Sequence, residues 1–382
     1  MISNQRSKFS LPSSGTYLNG AYMSPLLKSV EKAGLKGMLR KRNPFSITPT
    51  DFFTETEKLR QEYARLINVK QSNRIVIIPS VSYGIATVAK NLKLSAGDNV
   101  IVAAEQFPSN YYSWSELIRE RGAELKVVSS IHGAGRGKIW NERILEAINS
   151  KTKLVALGHV HWADGTKFQL TEIRKRTKEV GALLVIDGTQ SVGALPFDVQ
   201  KIQPDALICA GYKWLMGPYS IGLAYYGEYF DQGKPLEENW INRKDSENFA
   251  ALVNYQSDYQ PSALRYEVGE HSNFIAVPMM LAAIQQINQW KPANIQAYCE
   301  KISKKALAQL TDAGFWIEDS KYRGHHLFGI RLPQNINRDK VVEALKKNKI
   351  AVSFRGDAIR VAPHVYNSEA EMNKLASVLK KV

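Results

Sequence analysis

The sequence predicts an α/β chain, with a mostly parallel seven-stranded sheet in a large domain and a smaller α+β domain after it. Three observations carry this expectation. Between residues 74 and 226, short β-branched runs alternate with longer amphipathic segments, the texture of successive βαβ units. Several of the runs, such as 206–210, are continuously apolar, as strands covered on both faces are. The chain's 382 residues also exceed the ~250–300 at which a single core stops growing, so two domains are expected. The large one is placed at 21–270, and the smaller at 271–382 together with 1–20.

Taken in order, strands are expected at 74–79, 99–103, 124–129, 153–158, 182–187, 206–210 and 222–226, seven in all. Helical patterns fall between them at 82–92, 111–121, 141–148 and 170–180. Beyond about residue 270 the texture changes to long helical stretches, 276–290 and 293–313, then strands near 327–332 and 350–354. A last helix over 368–380 is announced by Ser368 with Glu371 three positions on, a capping-box spacing. No internal repeat or low-complexity segment interrupts the pattern.

Composition narrows the function classes. Hydrophobic residues at 44% and charged residues at 23% are ordinary globular values. No apolar run is long enough for a signal-peptide core or a membrane span, so a cytoplasmic protein without membrane contact is expected. The two cysteines, Cys209 and Cys299, form no disulfide framework and no zinc-type spacing. The net charge of +15 is spread along the chain and accompanies no nucleic-acid-reading motif, so no nucleic acid is expected as partner.

The chemistry is concentrated in two segments, LLVIDGTQSVGALPFDV (183–199) and PDALICAGYKWLMGPYSIG (204–222). In the first an apolar strand ends in Asp187; in the second another ends at Tyr212, Lys213 and Trp214. Carboxyl ends of strands in open α/β sheets line the ligand crevice, so one carboxylate and one amine are offered to the same space. Pyridoxal 5'-phosphate (PLP) needs that pairing: the amine forms a Schiff base with the aldehyde, and the acid keeps the ring nitrogen protonated so that the ring is an electron sink. The plainer reading of either residue is a surface charge or an ordinary salt bridge.

With these residues in place, the chain resembles the class V aminotransferase family of fold-type I PLP enzymes, which includes cysteine desulfurases, isopenicillin N epimerase and kynureninase. The resemblance runs through TYLNGAYMSPL (16–26), SVSYGIATVAKNL (80–92), EQFPSNYYSW (105–114), GHVHWADGTKFQL (158–170), the two segments above, RYEVGEHSNF (265–274) and IRVAPHVYNSEAEM (359–372). It implies that Lys213 is the Schiff-base lysine, Asp187 the pyridinium partner, Gln190 the partner of the ring's phenolic oxygen and Phe107 the ring-stacking aromatic. Val81 and Ser82, at the start of the predicted 82–92 helix, are implied to hold the phosphate through main-chain N–H groups and one hydroxyl, Ser82 serving also as an ordinary N-cap. Tyr212 resembles the phosphate-binding tyrosine of kynureninases. Arg360 matches the carboxylate-binding arginine, whose planar fork suits that ligand, with Asn19 and Arg355 as further candidates for the same wall. The resemblance also implies a homodimer in which the segment 269–273 reaches toward the partner's cofactor phosphate, although its usual threonine is Glu270 here.

Departures from the family matter as much. The loop AVSFRGDA (351–358) has no cysteine where desulfurases carry their persulfide-forming thiol, so sulfur transfer to a protein thiol is not expected. The run GAGRGK (133–138) fails the phosphate-loop spacing and reads as a turn. His159 and His161 lack a third ligand of suitable spacing and read as packing or pocket residues, with no metal expected. The expectation is a PLP-dependent enzyme acting on a small amino acid by transamination, C–S cleavage or epimerisation; its alternative is a catalytically silent binding or regulatory protein on the same fold.

Overall fold

The computed structural model describes residues 2–382. The chain opens with β1 (Thr16–Tyr17), α1 (Lys28–Leu39) and α2 (Asp51–Leu66). Strands and helices then alternate: β2 (Ile75–Ile78), α3 (Val81–Asn91), β3 (Asn99–Ala103), α4 (Tyr112–Arg121), β4 (Glu124–Val128), α5 (Arg136–Ala147), β5 (Thr152–Gly158), α6 (Leu170–Glu179), β6 (Leu183–Asp187), α7 (Val199–Ile202), β7 (Ala206–Ala210) and β8 (Gly222–Tyr226). The seven strands β2–β8 form one sheet in the order β2-β8-β7-β6-β5-β3-β4, in which only β8 runs against its neighbours. The carboxyl ends of β2, β3, β5, β6 and β7 therefore share one edge, and the loops leaving that edge meet there.

A second body follows: α8 (Ala276–Trp290), α9 (Pro292–Asp312), β9 (Trp316–Ile317), β10 (Phe328–Arg331), α10 (Arg338–Lys347), β11 (Ile350–Ala351), β12 (Ser353–Arg355), β13 (Ala358–Val361) and α11 (Glu369–Leu379). Its antiparallel sheet has the order β12-β13-β10-β9, and β1 pairs in parallel with β11 as a separate two-stranded sheet. Three apolar cores hold the molecule. One lies on each face of the large sheet, and the third gathers Phe9 and Leu18 from the N-terminal segment with α9, β10, β13 and α11. α8 serves two of these cores, burying Val277 and Met280 under the large sheet and Ala283 against the second body.

Every strand of the large sheet lies within two residues of its expected position. β6 and β7 are buried along almost all their length, as continuous apolar runs require, while the edge strand β4 is not. Four differences have physical causes. α1 and α2 escape the sequence pattern; in α1, Gly34 and Gly37 lower helix propensity but admit α8 and the segment before it, since a Cβ on Gly34 would lie 2.6 Å from the Met279 sulfur of α8 and one on Gly37 2.0 Å from the Phe274 carbonyl oxygen. α5 starts at Arg136 rather than 141, because the turn with positive φ at Gly133 and Gly135 passes directly into a helix whose first residue is a buried arginine paired with Asp164. The strand expected at 350–354 divides at Val352 into β11 and β12, which pair with different partners. α3 begins at Val81 rather than Ser82, and its N-cap is Ser80, whose hydroxyl accepts the Tyr83 N–H at 3.2 Å.

Candidate active site

At the shared strand edge lies a cavity of about 310 Å³, within the ~300–1,000 Å³ range of small-molecule sites. Asp187, the last residue of β6, stands on its wall. Neighbouring β7 ends at Ala210 and delivers Tyr212 and Lys213 to the same space. The turn is held by close backbone approach: Gly193, at φ +102°, lets the Trp214 carbonyl pass where a Cβ would lie 2.2 Å from its oxygen. Ser80, Val81 and Ser82 form another wall at the N-terminus of α3, with the Ser80 and Ser82 hydroxyls 2.9 Å apart. Their N–H groups and the helix dipole make this end suited to an anion.

A second space of about 480 Å³ adjoins the first and shares Phe107, Trp162, Tyr212, Lys213 and Tyr219 with it; Arg355 and Arg360 line its far side. Lys213 thus sits at the junction of an acid-bearing chamber and an arginine-bearing one. Its ammonium atom is 5.4 Å from the Phe107 ring centre and the same from that of Tyr212. Burial pulls its pKa down to about 8; Asp187 opposes that shift, while Arg360 and Arg355 add to it. Burial raises the Asp187 pKa against the hydroxyl and N–H of Thr189 and the charge of Lys213, the Thr189 N–H donating to Asp187 Oδ1 at 3.0 Å. The two groups act on each other through space without a mutual hydrogen bond, so the plain salt bridge is not what holds them.

Gln190 lines the chamber with its amide anchored from behind: Oε1 accepts the Trp214 indole N–H at 3.0 Å, and Nε2 donates to the Ala21 carbonyl at 3.1 Å. One amide hydrogen remains available for a ligand acceptor. Arg360 is buried and gives one N–H to the Trp162 carbonyl at 2.8 Å, while Arg355 gives one to the Phe354 carbonyl at 2.8 Å. Among the described residues neither guanidinium has a carboxylate partner. Burial, reinforced by Arg355, lowers the Arg360 pKa to about 10, which leaves it cationic at neutral pH.

Of the residues expected from sequence, the cavities bring together Lys213, Asp187, Gln190, Phe107, Tyr212, Val81, Ser82, Arg355 and Arg360. Asn19 is not among the lining residues; its Oδ1 accepts the Ser353 hydroxyl at 2.8 Å behind the arginine wall. Glu270 lies away from both spaces, at φ +57°. The GAGRGK turn is likewise outside them. His161 ties Asp164 and the Glu105 carbonyl, so it packs the site from outside.

Among the lining residues that escaped the sequence reading are Trp162, Tyr219 and Ser80. Trp162 donates its indole N–H to the Glu105 carbonyl at 2.7 Å, meets the Phe107 ring edge-on at 5.4 Å and lines both spaces. Its signal was its place just past the end of β5, on the edge that carries Asp187. Tyr219, whose ring lies 4.6 Å from that of Tyr212 at a 51° tilt, sits in an irregular loop with no periodic signal.

The sequence model of the Aminotransferase class-V family matches residues 46–374. The chain belongs to that family. Among relatives of this class-V chain, the uncharacterized aminotransferase YcbU of Bacillus subtilis is 27% identical over 319 residues, covering 83% of this chain and 81% of YcbU. A probable cysteine desulfurase of Methanothermobacter thermautotrophicus is 26% identical over 350 residues, covering 85% and 83%. Solved structures agree on the fold: a cysteine desulfurase of Thermococcus onnurineus superposes with TM-score 0.85 at 22% identity, over 100% of this chain and 98% of that one. The cystine C-S lyase C-DES, in complex with cysteine persulfide, superposes with TM-score 0.84 at 21% identity, over 96% and 98%. The class-V fold is the fold-type I architecture of PLP enzymes, and the family is PLP-dependent. The donor set fits that cofactor, with an amine, a facing buried acid, a ring-side aromatic and a helix N-terminus around one chamber.

Proposed function

We propose that this chain binds PLP on Lys213 and cleaves a carbon–sulfur bond in a small sulfur amino acid without an enzyme thiol. The observation that carries the proposal is Lys213 at the junction of the two spaces, with Asp187 on one side and two carboxylate-free guanidiniums on the other. When bound, PLP supplies an electron sink for charge released at the substrate α-carbon. Asp187 would hold a proton at its ring nitrogen, Gln190 would offer an N–H to its phenolic oxygen, and Phe107 would supply an aromatic wall. The hydroxyls and N–H groups of Ser80, Val81 and Ser82, with Tyr212, receive the phosphate.

Arg360 grips the substrate carboxylate with a fork fixed by the Trp162 carbonyl, and the Lys213 amine takes the α-proton. Arg355 supplies a second cation, which favours substrates with a second carboxylate. Cys209 and Cys299 are fully buried and burial pushes both thiols well above the ordinary cysteine range, so neither supports persulfide formation. The relatives named cysteine desulfurase and C-S lyase make sulfur amino acids the substrate class to test first.

The reading extends to a large PLP-binding domain at 21–270, a small domain of 271–382 with 1–20, and a homodimer. The deciding experiment is incubation of PLP-loaded protein with cysteine and cystine. Release of pyruvate and sulfur species supports the lyase; a 2-oxo acid formed only with an added amino-group acceptor indicates transamination instead.

A further inference from the structure

A buried circuit of hydrogen bonds outside the cavity involves a histidine that no step above uses. It begins on α9, where Gln296 Oε1 accepts the backbone N–H of His325 at 2.9 Å, which identifies the other terminal atom as the amide nitrogen. That nitrogen donates to the Ala194 carbonyl at 2.7 Å and meets His326 Nδ1 at 2.9 Å. Because the amide nitrogen has only hydrogens to give, Nδ1 must be the acceptor, and the imidazole hydrogen is on Nε2. Nε2–H then donates to the Gln190 carbonyl at 2.8 Å. The same ring meets Trp214 edge-on at 4.7 Å, and the Trp214 indole N–H closes the circuit on Gln190 Oε1. Gln296, His326, Gln190 and Trp214 are all at least nine-tenths buried.

Gln190 follows Asp187 by three positions, and Trp214 follows Lys213 directly. We infer that His326 is a positioning residue for the cofactor chamber: one neutral imidazole from the second body fixes the neighbours of both the acid and the lysine, holding the two strand ends in register. The inference rests on the proposed PLP site. His326 does not line either cavity, so it acts only through Gln190 and Trp214. Protonation would set an Nδ1–H against the Gln296 amide hydrogens; independently, burial lowers the His326 pKa to about 4.

The test measures PLP dissociation constants and the circular dichroism of the bound cofactor for the wild type, His326→Leu, His326→Gln and Gln296→Met, with melting temperatures alongside. His326→Leu is expected to weaken PLP binding about tenfold and to reduce the cofactor's dichroic band. His326→Gln, whose amide reaches the Gln190 carbonyl, is expected to stay within about threefold of wild type. Gln296→Met, further from the chamber, should fall between them, and it carries the test alone if His326→Leu does not fold. A lowered melting temperature with unchanged PLP affinity and dichroism in both His326→Leu and Gln296→Met would overturn the inference and leave a purely structural histidine. Failure of the wild type to take up PLP would instead remove the cofactor reading itself.

Discussion

At the scale of single residues, the burial of Lys213 beside two guanidiniums decides how much free amine the apoprotein offers. With a pKa of about 8, roughly a tenth of the side chains are uncharged at pH 7, against about three in ten thousand for an ordinary lysine. Since only the uncharged amine attacks an aldehyde, the rate of PLP capture by the apoprotein should rise with pH and level off just above 8; stopped-flow absorbance checks this, and a rise continuing past pH 10 contradicts it. Arg360→Ala should raise KM for the amino acid by about 10- to 100-fold, the loss of one charge-assisted carboxylate contact, with a smaller change in kcat. Asp187 and Lys213 were marked in the sequence by strand-end position and residue chemistry, Gln190 and Arg360 only by the resemblance to the family, and the structure brings all four to the two adjoining spaces. Trp162 and Tyr219 were not marked, because an aromatic residue in a loop gives the same signal whether it packs in a core or walls a cavity. Asn19 illustrates the reverse: a polar residue in a matching segment whose side chain is taken up by Ser353.

At the scale of elements, the large sheet was readable almost residue by residue, since strands buried on both faces must be apolar throughout. Helix ends were less so. The N-terminus of α3 depends on a hydroxyl two residues upstream of Ser82, and that of α5 on a buried ion pair between residues 28 positions apart, neither of which is a periodic feature. The capping box of α11 was readable because both members lie within one turn: the Ser368 hydroxyl accepts the Glu371 N–H at 3.2 Å, and Glu371 Oε2 accepts the Ser368 N–H at 2.8 Å. Ser368→Ala should therefore cost about 1 kcal/mol in urea unfolding while leaving PLP affinity unchanged. Gly193→Ala should do both, destabilising the fold by ~1–3 kcal/mol and weakening PLP binding, because the turn it strains carries Trp214 beside Lys213.

At the scale of the whole molecule, three histidines are buried in the neutral form. Burial lowers His159 and His364 to about 3 and His326 to about 4, from an unfolded value near 6.5. Below pH 6.5 the unfolded chain binds protons that the folded chain does not, so their contribution is complete above that pH and is lost as pH falls toward 4. Each histidine costs up to ~1.4 kcal/mol per pH unit in that window, and the melting temperature should drop steeply between pH 6 and 4. No helix among the described residues is long and apolar enough to cross a membrane. The proposed homodimer predicts a particle of twice the chain mass by light scattering. The central claim is that Lys213 carries the cofactor, and peptide mapping by mass spectrometry after PLP loading and borohydride reduction tests it most directly. The account predicts a reduced pyridoxyl adduct on the peptide containing Lys213, lost in Lys213→Ala; an adduct on another lysine, or none at all, would contradict it.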